Sequence, residues 1–255
     1  MEQPMRICVV MPTYRNAGTV ADVVRRTLEQ LRELSGSRVI VVNDGSPDST
    51  DEVLEGLPVT VVKHRENKGK GAALKTGFEK ALEMGYDHVI TIDSDGQHFP
   101  EDIPVFLDAI RSHPDSIITG SRNLLAENMP GKNTFANKFS NFWFRLQTLR
   151  NVPDTQTGFR AYPLKGLPNL GLLTSRYEAE LELLVLSAWK GTPVHPVQIR
   201  VYYPPEGERI SSFHPFWDFF RISVLNTVLC LLALVYGYPR MALTWLFRLF
   251  RRAGR

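Results

Sequence analysis

Short unbroken apolar runs alternate with segments of helical period through the first hundred residues. Ile7-Cys8-Val9-Val10-Met11 is continuous apolar sequence, as in a strand buried on both faces. A turn over Pro12 to Asn16 follows. Val20, Val23, Val24, Thr27, Leu28 and Leu31 then keep the i, i+3, i+4, i+7 spacing of a helix with one packed face. Val39 to Val42 is a second buried strand. It runs into Asn43-Asp44-Gly45-Ser46-Pro47-Asp48-Ser49-Thr50, turn residues followed by helix-capping ones. Val59 to Val62 reads as a third strand, Ala72 to Met84 as a helix and His88 to Ile92 as a fourth strand. Alternation of this kind predicts an α/β fold: an open, mixed but mostly parallel sheet with helices on both faces.

The second half is less regular. Asn133 to Leu149 carries Phe135, Phe139, Phe142, Trp143 and Leu146 at helical spacing, which predicts a helix facing the core. Glu178 to Trp189 reads as another helix and Val194 to Tyr203 as a strand. No internal repeat or long linker is visible. The composition changes near Phe213, dividing the chain into a domain over residues 1–212 and a tail over 213–255. Ile222 to Tyr238 holds only four polar or breaking residues, Ser223, Asn226, Thr227 and Gly237. That is slightly short of the roughly 20 apolar residues a spanning helix needs. Met241 to Arg252 mixes large apolar side chains with arginines, the composition of a helix lying in the membrane interface. The alternative is a helix pair packed on the domain, or on a second copy in a homodimer.

Charge sharpens this picture. The net charge is +3 with 22% charged residues, which argues against disorder and against a nucleic-acid partner. The basic excess is local: Arg240, Arg248, Arg251, Arg252 and Arg255 crowd an end with no acid after Asp218. Such an end suits anionic headgroups. The two cysteines, Cys8 and Cys230, lie in apolar runs and are expected as buried thiols. Met1 to Arg6 lacks the build of a signal peptide, so the expected place is the cytoplasmic face of a membrane.

Three polar clusters fall where buried strands end: Pro12-Thr13-Tyr14, Asn43-Asp44-Gly45-Ser46 and Asp93-Ser94-Asp95-Gly96-Gln97. Open α/β sheets bind ligands outside the carboxyl ends of their strands. Asp93 and Asp95, spaced i and i+2 after a strand, can converge on one ligand, and Gln97 adds a neutral oxygen. Hard donors of this kind suit Mg²⁺ or Mn²⁺ shared with substrate phosphates. Asp44 is either the acid of a tight turn or an acceptor for a base or ribose. Asn67-Lys68-Gly69-Lys70-Gly71 opens a helix and offers amides and ammonium groups to phosphate. It matches neither a P-loop nor a dinucleotide fingerprint. Asp154-Thr155-Gln156-Thr157-Gly158-Phe159-Arg160 is a further polar cluster, in which Asp154 either orients an acceptor or acts as a base. Arg122 and Arg209 are candidate ligands for an acceptor phosphate. The six scattered histidines show no zinc-ligand spacing, and no hydrolase elbow is present.

In combination and order, Val10-Met11-Pro12-Thr13-Tyr14, Val41 to Ser46, Asn67 to Gly71, Asp93 to Gln97 and Asp154 to Arg160 resemble the family 2 glycosyltransferases, which have the GT-A fold. The branch resembled most is that of dolichyl-phosphate mannose synthases and other polyprenyl-phosphate glycosyltransferases. The resemblance implies a nucleotide-sugar donor bound by Pro12, Thr13, Tyr14, Asp44, Gly45, Lys70, Asp93 and Ser94. It implies a metal at Asp93, Asp95 and Gln97, and catalytic roles for Asp95, Asp154, Arg122 and Arg209, with Arg200 competing for the place of Arg209. A lipid phosphate is largely ionised near neutrality, since a phosphate monoester's second pKa is about 6. With that acceptor Asp154 would position groups. With a glycan or other hydroxyl acceptor, the alternative, Asp154 would be the leading base. The Gln-x-x-Arg-Trp element of processive synthases is absent.

Overall fold

The computed structural model describes residues 5–122, 131–165, 167, 172–203 and 215–253. Seven strands form one sheet: β1 (Ile7–Thr13), β2 (Arg38–Asn43), β3 (Thr60–Lys63), β4 (His88–Thr91), β5 (Ile117–Arg122), β6 (Arg160–Pro163) and β7 (Val194–Ile199). Their order is β3-β2-β1-β4-β6-β5-β7. Every pairing is parallel except those of β6, which runs antiparallel to both β4 and β5. The mostly parallel sheet expected from the alternation is therefore present.

All seven residues of β1 are buried, which is why its apolar run is unbroken. Successive side chains go to opposite layers. Cys8 and Val10 join Phe78 of α3 (Lys70–Glu83) and Leu184 and Trp189 of α6 (Ala179–Trp189). Val9 and Met11 join Val20, Val23 and Val24 of α1 (Val20–Gln30) and Phe106 and Ile110 of α4 (Ile103–Ser112). Helix α3 lies close on β1 because Gly77 has no side chain: a Cβ there would stand 2.3 Å from Val10 Cγ1. The short α2 (Thr50–Leu54) follows β2.

The aromatic stripe on α5 (Gly131–Thr148) is not its most buried face: Phe139 and Trp143 are only half-buried. Phe142 and Leu146 are exposed, while Asn137, Ser140, Phe144, Gln147 and Thr148 are buried. The inward face is chosen by hydrogen bonding. Asn137 donates to Asp154 at 2.6 Å, Ser140 and Thr155 hydroxyls lie 2.8 Å apart, and Gln147 donates to the Asn226 side chain at 2.9 Å. Buried amides need such partners, whereas apolar rings can be left outside only if something else covers them.

Helix α7 (Pro215–Leu232) continues through a π turn at 233–237 into α8 (Tyr238–Ala253). The helical run is thus longer than Ile222 to Tyr238. Phe219–Leu246, 28 residues, is long and apolar enough to cross a membrane, and 22% of its most apolar window is buried inside the protein. Leu225, Asn226, Leu229 and Ala233 dock inward, and Gly237 meets the Trp189 ring. Trp217, Phe219, Phe220, Leu231, Leu234 and Val235 remain exposed. Cys8 is buried as expected, but Cys230 on α7 is only partly so.

Candidate functional site

A cleft of about 740 Å³ opens at the carboxyl ends of β1, β2 and β4. The end of β1 contributes Pro12, Thr13 and Tyr14, β2 contributes Asp44, and the segment after β4 contributes Asp93, Ser94, Asp95 and Gln97. Asn67, Gly69 and Lys70 come from the start of α3, and Arg176 and Tyr177 close one side. Three polar clusters distant in sequence therefore share one cavity.

Asp44 organises the wall between β2 and α3. It is buried and accepts from the amides of Lys68 at 2.9 Å and Gly69 at 2.8 Å, and from the Asn67 side chain at 3.0 Å. His64 Nδ1 lies 2.6 Å from its other side. Its oxygens are thus largely committed to holding the phosphate-type loop in shape. Gly45, at φ +69°, makes the turn possible. A Cβ there would stand 2.5 Å from the Glu66 backbone, so Gly45 packs the two loops together and is not itself part of the cleft wall. Ser94 is likewise a brace as well as a wall residue: it donates to Pro12 O at 3.0 Å and accepts from Asn16 at 2.9 Å.

Lys70 is the first residue of α3 and points its ammonium at two acids. Nζ lies 2.6 Å from Asp93 Oδ1 and 2.8 Å from Glu180 Oε2. Burial alone would lower its pKa, but the Asp93 and Glu180 charges outweigh it and hold the lysine protonated. Asp93 is held below the usual carboxylate range: burial pushes up, and the Lys70 charge wins. Asp95 lacks such a partner. Burial first, then the charge of Asp93, pushes its carboxyl up to about 6. The Gln97 amide donates to Asp95 Oδ1 at 3.0 Å, and Gln97 O accepts from the Tyr202 amide at 2.8 Å. Next to Asp93, burial pulls the His98 imidazole down to about 4, so it stands neutral 3.8 Å from the carboxylate.

The residues present fit a hard divalent cation. Asp93 and Asp95 both line the cleft, and the charge of Asp93 adds to burial in raising Asp95, which a cation between them would relieve. Among the described residues no three His, Cys, Asp or Glu side chains group as a metal cage. Two protein carboxylates are the number Mg²⁺ sites commonly use when diphosphate and water complete the shell.

Asp154 sits elsewhere. It is fully buried, does not line the cleft, and receives two bonds from Arg122, Nε at 2.6 Å and Nη2 at 2.9 Å. The Asn137 side chain and the Gln156 amide, at 2.6 and 3.0 Å, add to these. Burial pushes its pKa up, but the Arg122 hydrogen bonds and charge win and hold it below the ordinary range. An acid so occupied is a poor proton acceptor, and its side chain is committed to Arg122. Arg200 is bound to Asp102 through its amide and guanidinium at 2.6 to 2.8 Å. Arg209 lies outside the described residues.

Sequence reasoning passed over Glu180, Arg176 and Tyr177, and took His98 only as one of the scattered histidines. For Glu180 a signal existed: it and Glu182 are acids inside the largely apolar Ala179 to Trp189, in which every residue but Leu186 is buried. Buried carboxylates need partners. Glu182 finds the Leu173 and Thr174 amides, and Glu180 finds Lys70.

Comparison with known proteins bears on the family and the fold. Residues 8–167 match the family described as glycosyl transferase family 2. The UDP-N-acetylglucosamine–dolichyl-phosphate N-acetylglucosaminyltransferase of Methanococcus voltae is 30% identical over 219 residues, covering 77% of this chain and 86% of that protein. The polyprenol monophosphomannose synthase of Mycolicibacterium smegmatis is 33% identical over 176 residues, 66% of this chain and 65% of that protein. Among solved structures, glucosyl-3-phosphoglycerate synthase from Mycobacterium tuberculosis, in complex with Mn²⁺, UDP and phosphoglyceric acid, shares the fold. Its TM-score is 0.65 over 90% of this chain and 78% of that one, at 18% identity.

Proposed function

The chain belongs to glycosyl transferase family 2, and on that premise we propose that it is an inverting, metal-dependent hexosyltransferase that moves a sugar from a nucleoside-diphosphate donor to a polyprenyl- or dolichyl-phosphate acceptor at the cytoplasmic face of a membrane. The observation that carries the reading is the meeting of Asp93, Asp95, Lys70 and Asp44 in one cleft at the sheet's carboxyl rim. The lipid-phosphate acceptors of the relatives named above support the acceptor class.

The donor's nucleoside would lie against Pro12, Thr13 and Tyr14, beside the loop that Asp44 holds. Its diphosphate would face Lys70 and the amides opening α3, a favourable place for negative charge. Asp93, Asp95 and Gln97 would hold Mg²⁺ or Mn²⁺, whose chemistry is to neutralise charge growing on the leaving diphosphate. Arg122, fixed by Asp154, would meet the acceptor phosphate as a planar, always charged fork. A phosphate acceptor arrives already ionised, so the engagement of Asp154 with Arg122 fits this acceptor better than a hydroxyl, which needs a base.

The exposed apolar faces of α7 and α8 and the arginines up to Arg255 suit the anionic cytoplasmic leaflet. The test is a panel of nucleotide sugars with Mg²⁺ or Mn²⁺ against polyprenyl phosphate in vesicles, with product stereochemistry read by NMR. Transfer that survives excess chelator, or goes only to soluble hydroxyls, would overturn the proposal.

A further inference from the structure

Lys70 starts a helix, where the macrodipole disfavours a cation. Two carboxylates from different parts of the fold compensate it, Asp93 after β4 and Glu180 in the first turn of α6. They differ in what else they do. Asp93 faces the cleft beside Asp95 and is pressed from behind, since a Cβ on Gly158 would lie 2.4 Å from its Oδ2. Glu180 does not line the cleft, is 8% exposed, and its buried Oε1 has no hydrogen-bond partner among the described residues. Its backbone carbonyl is fixed in turn by Arg160 at 2.9 Å.

This inference rests on reading the cleft as a metal–diphosphate site. We propose that Lys70 is a resident counter-ion for Asp93, and that Glu180 is a positioning residue that keeps the lysine in place when a divalent cation takes Asp93 over. Asp93, Asp95 and Glu180 carry three negative charges against the ammonium of Lys70 and the buried guanidinium of Arg160, whose charge reaches both Asp93 and Glu180, so the cluster stays net negative toward an entering cation. A cation on Asp93 repels the ammonium 2.6 Å from that same carboxylate. Without a second anchor the lysine would leave for solvent and be lost to the donor diphosphate. Glu180, outside the cleft wall and with an oxygen to spare, is that anchor. The ammonium swings from Asp93 toward a phosphate oxygen while still bonded to Glu180.

Binding, not turnover, tests this. Mn²⁺ affinity is measured by electron paramagnetic resonance, with and without UDP or GDP, for the full chain and for Glu180→Gln, Lys70→Met and the double variant. If the lysine competes for Asp93, Lys70→Met tightens binding of Mn²⁺ alone. Glu180→Gln leaves the lysine to Asp93 and weakens Mn²⁺ binding about fivefold or more. In the Lys70→Met background, the same Glu180→Gln change has little effect, because its action runs through the lysine. An equal loss in both backgrounds would mean that Glu180 acts on the metal directly, and would overturn the proposal. So would weaker Mn²⁺ binding in Lys70→Met. Glu180→Asp, which keeps the charge, restores most of the affinity and covers the case in which Glu180→Gln fails to fold. If the unaltered chain binds Mn²⁺ in neither condition, the site reading itself falls, and this inference with it.

Discussion

Asp154→Asn separates a structural acid from a catalytic base. The substitution keeps size and removes charge at a side chain that is 0% exposed and bonded to an Arg122 side chain 15% exposed. An amide cannot accept both guanidinium bonds, the Asn137 donor and the Gln156 amide. Removing one partner of a buried pair costs about 3–5 kcal/mol, because the other charge stays behind. At about 2–4 °C per kcal/mol for a chain of this size, Tm falls by roughly 6–20 °C. Urea unfolding followed by tryptophan fluorescence measures it. The pH dependence has a definite sign. Asp154 has a lowered pKa in the folded state, so its contribution is complete above the ordinary value of 3.8 and is lost as pH falls below it. The wild-type advantage over Asp154→Asn is therefore flat from pH 5 to 8 and fades only in stronger acid. Adding Arg122→Met to Asp154→Asn recovers part of the lost stability. A stability loss under about 1 kcal/mol, together with a rate that falls as pH drops through the carboxylate range, would refute the argument and restore Asp154 as the base.

Asp95→Asn removes most metal-dependent turnover, about 100-fold or more, yet stabilises the metal-free chain. Its carboxyl is raised to about 6, so its ionised form costs at most about 3 kcal/mol above that pH and nothing below about 4. Saturating Mn²⁺ reverses the order of the two proteins in a thermal melt. Gly158→Ala drives a methyl into Asp93 at 2.4 Å; activity falls at least tenfold while stability drops by about 1–3 kcal/mol. Paired changes Leu234→Gln and Val235→Gln, at side chains 64% and 75% exposed, leave Tm within about 2 °C but weaken sedimentation with anionic vesicles about tenfold or more. Unchanged sedimentation would remove membrane contact from this face.

The donor half of the site was legible because each polar cluster directly follows a buried strand, and strand ends face one rim in a parallel sheet. The same logic could not rank the roles inside a cluster. Asp44 and Ser94 are partly braces, which shows only in hydrogen bonds spanning 20 to 82 residues of sequence, and Gly45 is one through its close packing on Glu66. The two roles open to Asp154, orienting group or base, could not be ranked for the same reason, since its partner Arg122 lies 32 residues away. Strand β5 is hidden in the sequence because Ile117–Arg122 includes Thr, Gly, Ser and Arg. Helix α5 was read as a helix with its faces exchanged. Periodicity reveals which residues share a stripe, but not that Asn137, Ser140 and Gln147 have better hydrogen bonds inside than the aromatic rings have contacts.

The reversed strand β6 has a consequence for inheritance. Because it runs against its neighbours, the Asp154 to Gly158 loop arrives at the carboxyl rim by entering a strand, whereas the loops of β1, β2 and β4 reach it by leaving one. The strand-end part of the cleft is thereby encoded in the first hundred residues, and Arg122 with its support, like Arg176 and Tyr177 of the cleft, in later sequence. Change can therefore accumulate around Arg122 while the strand-end carboxylates stay as they are.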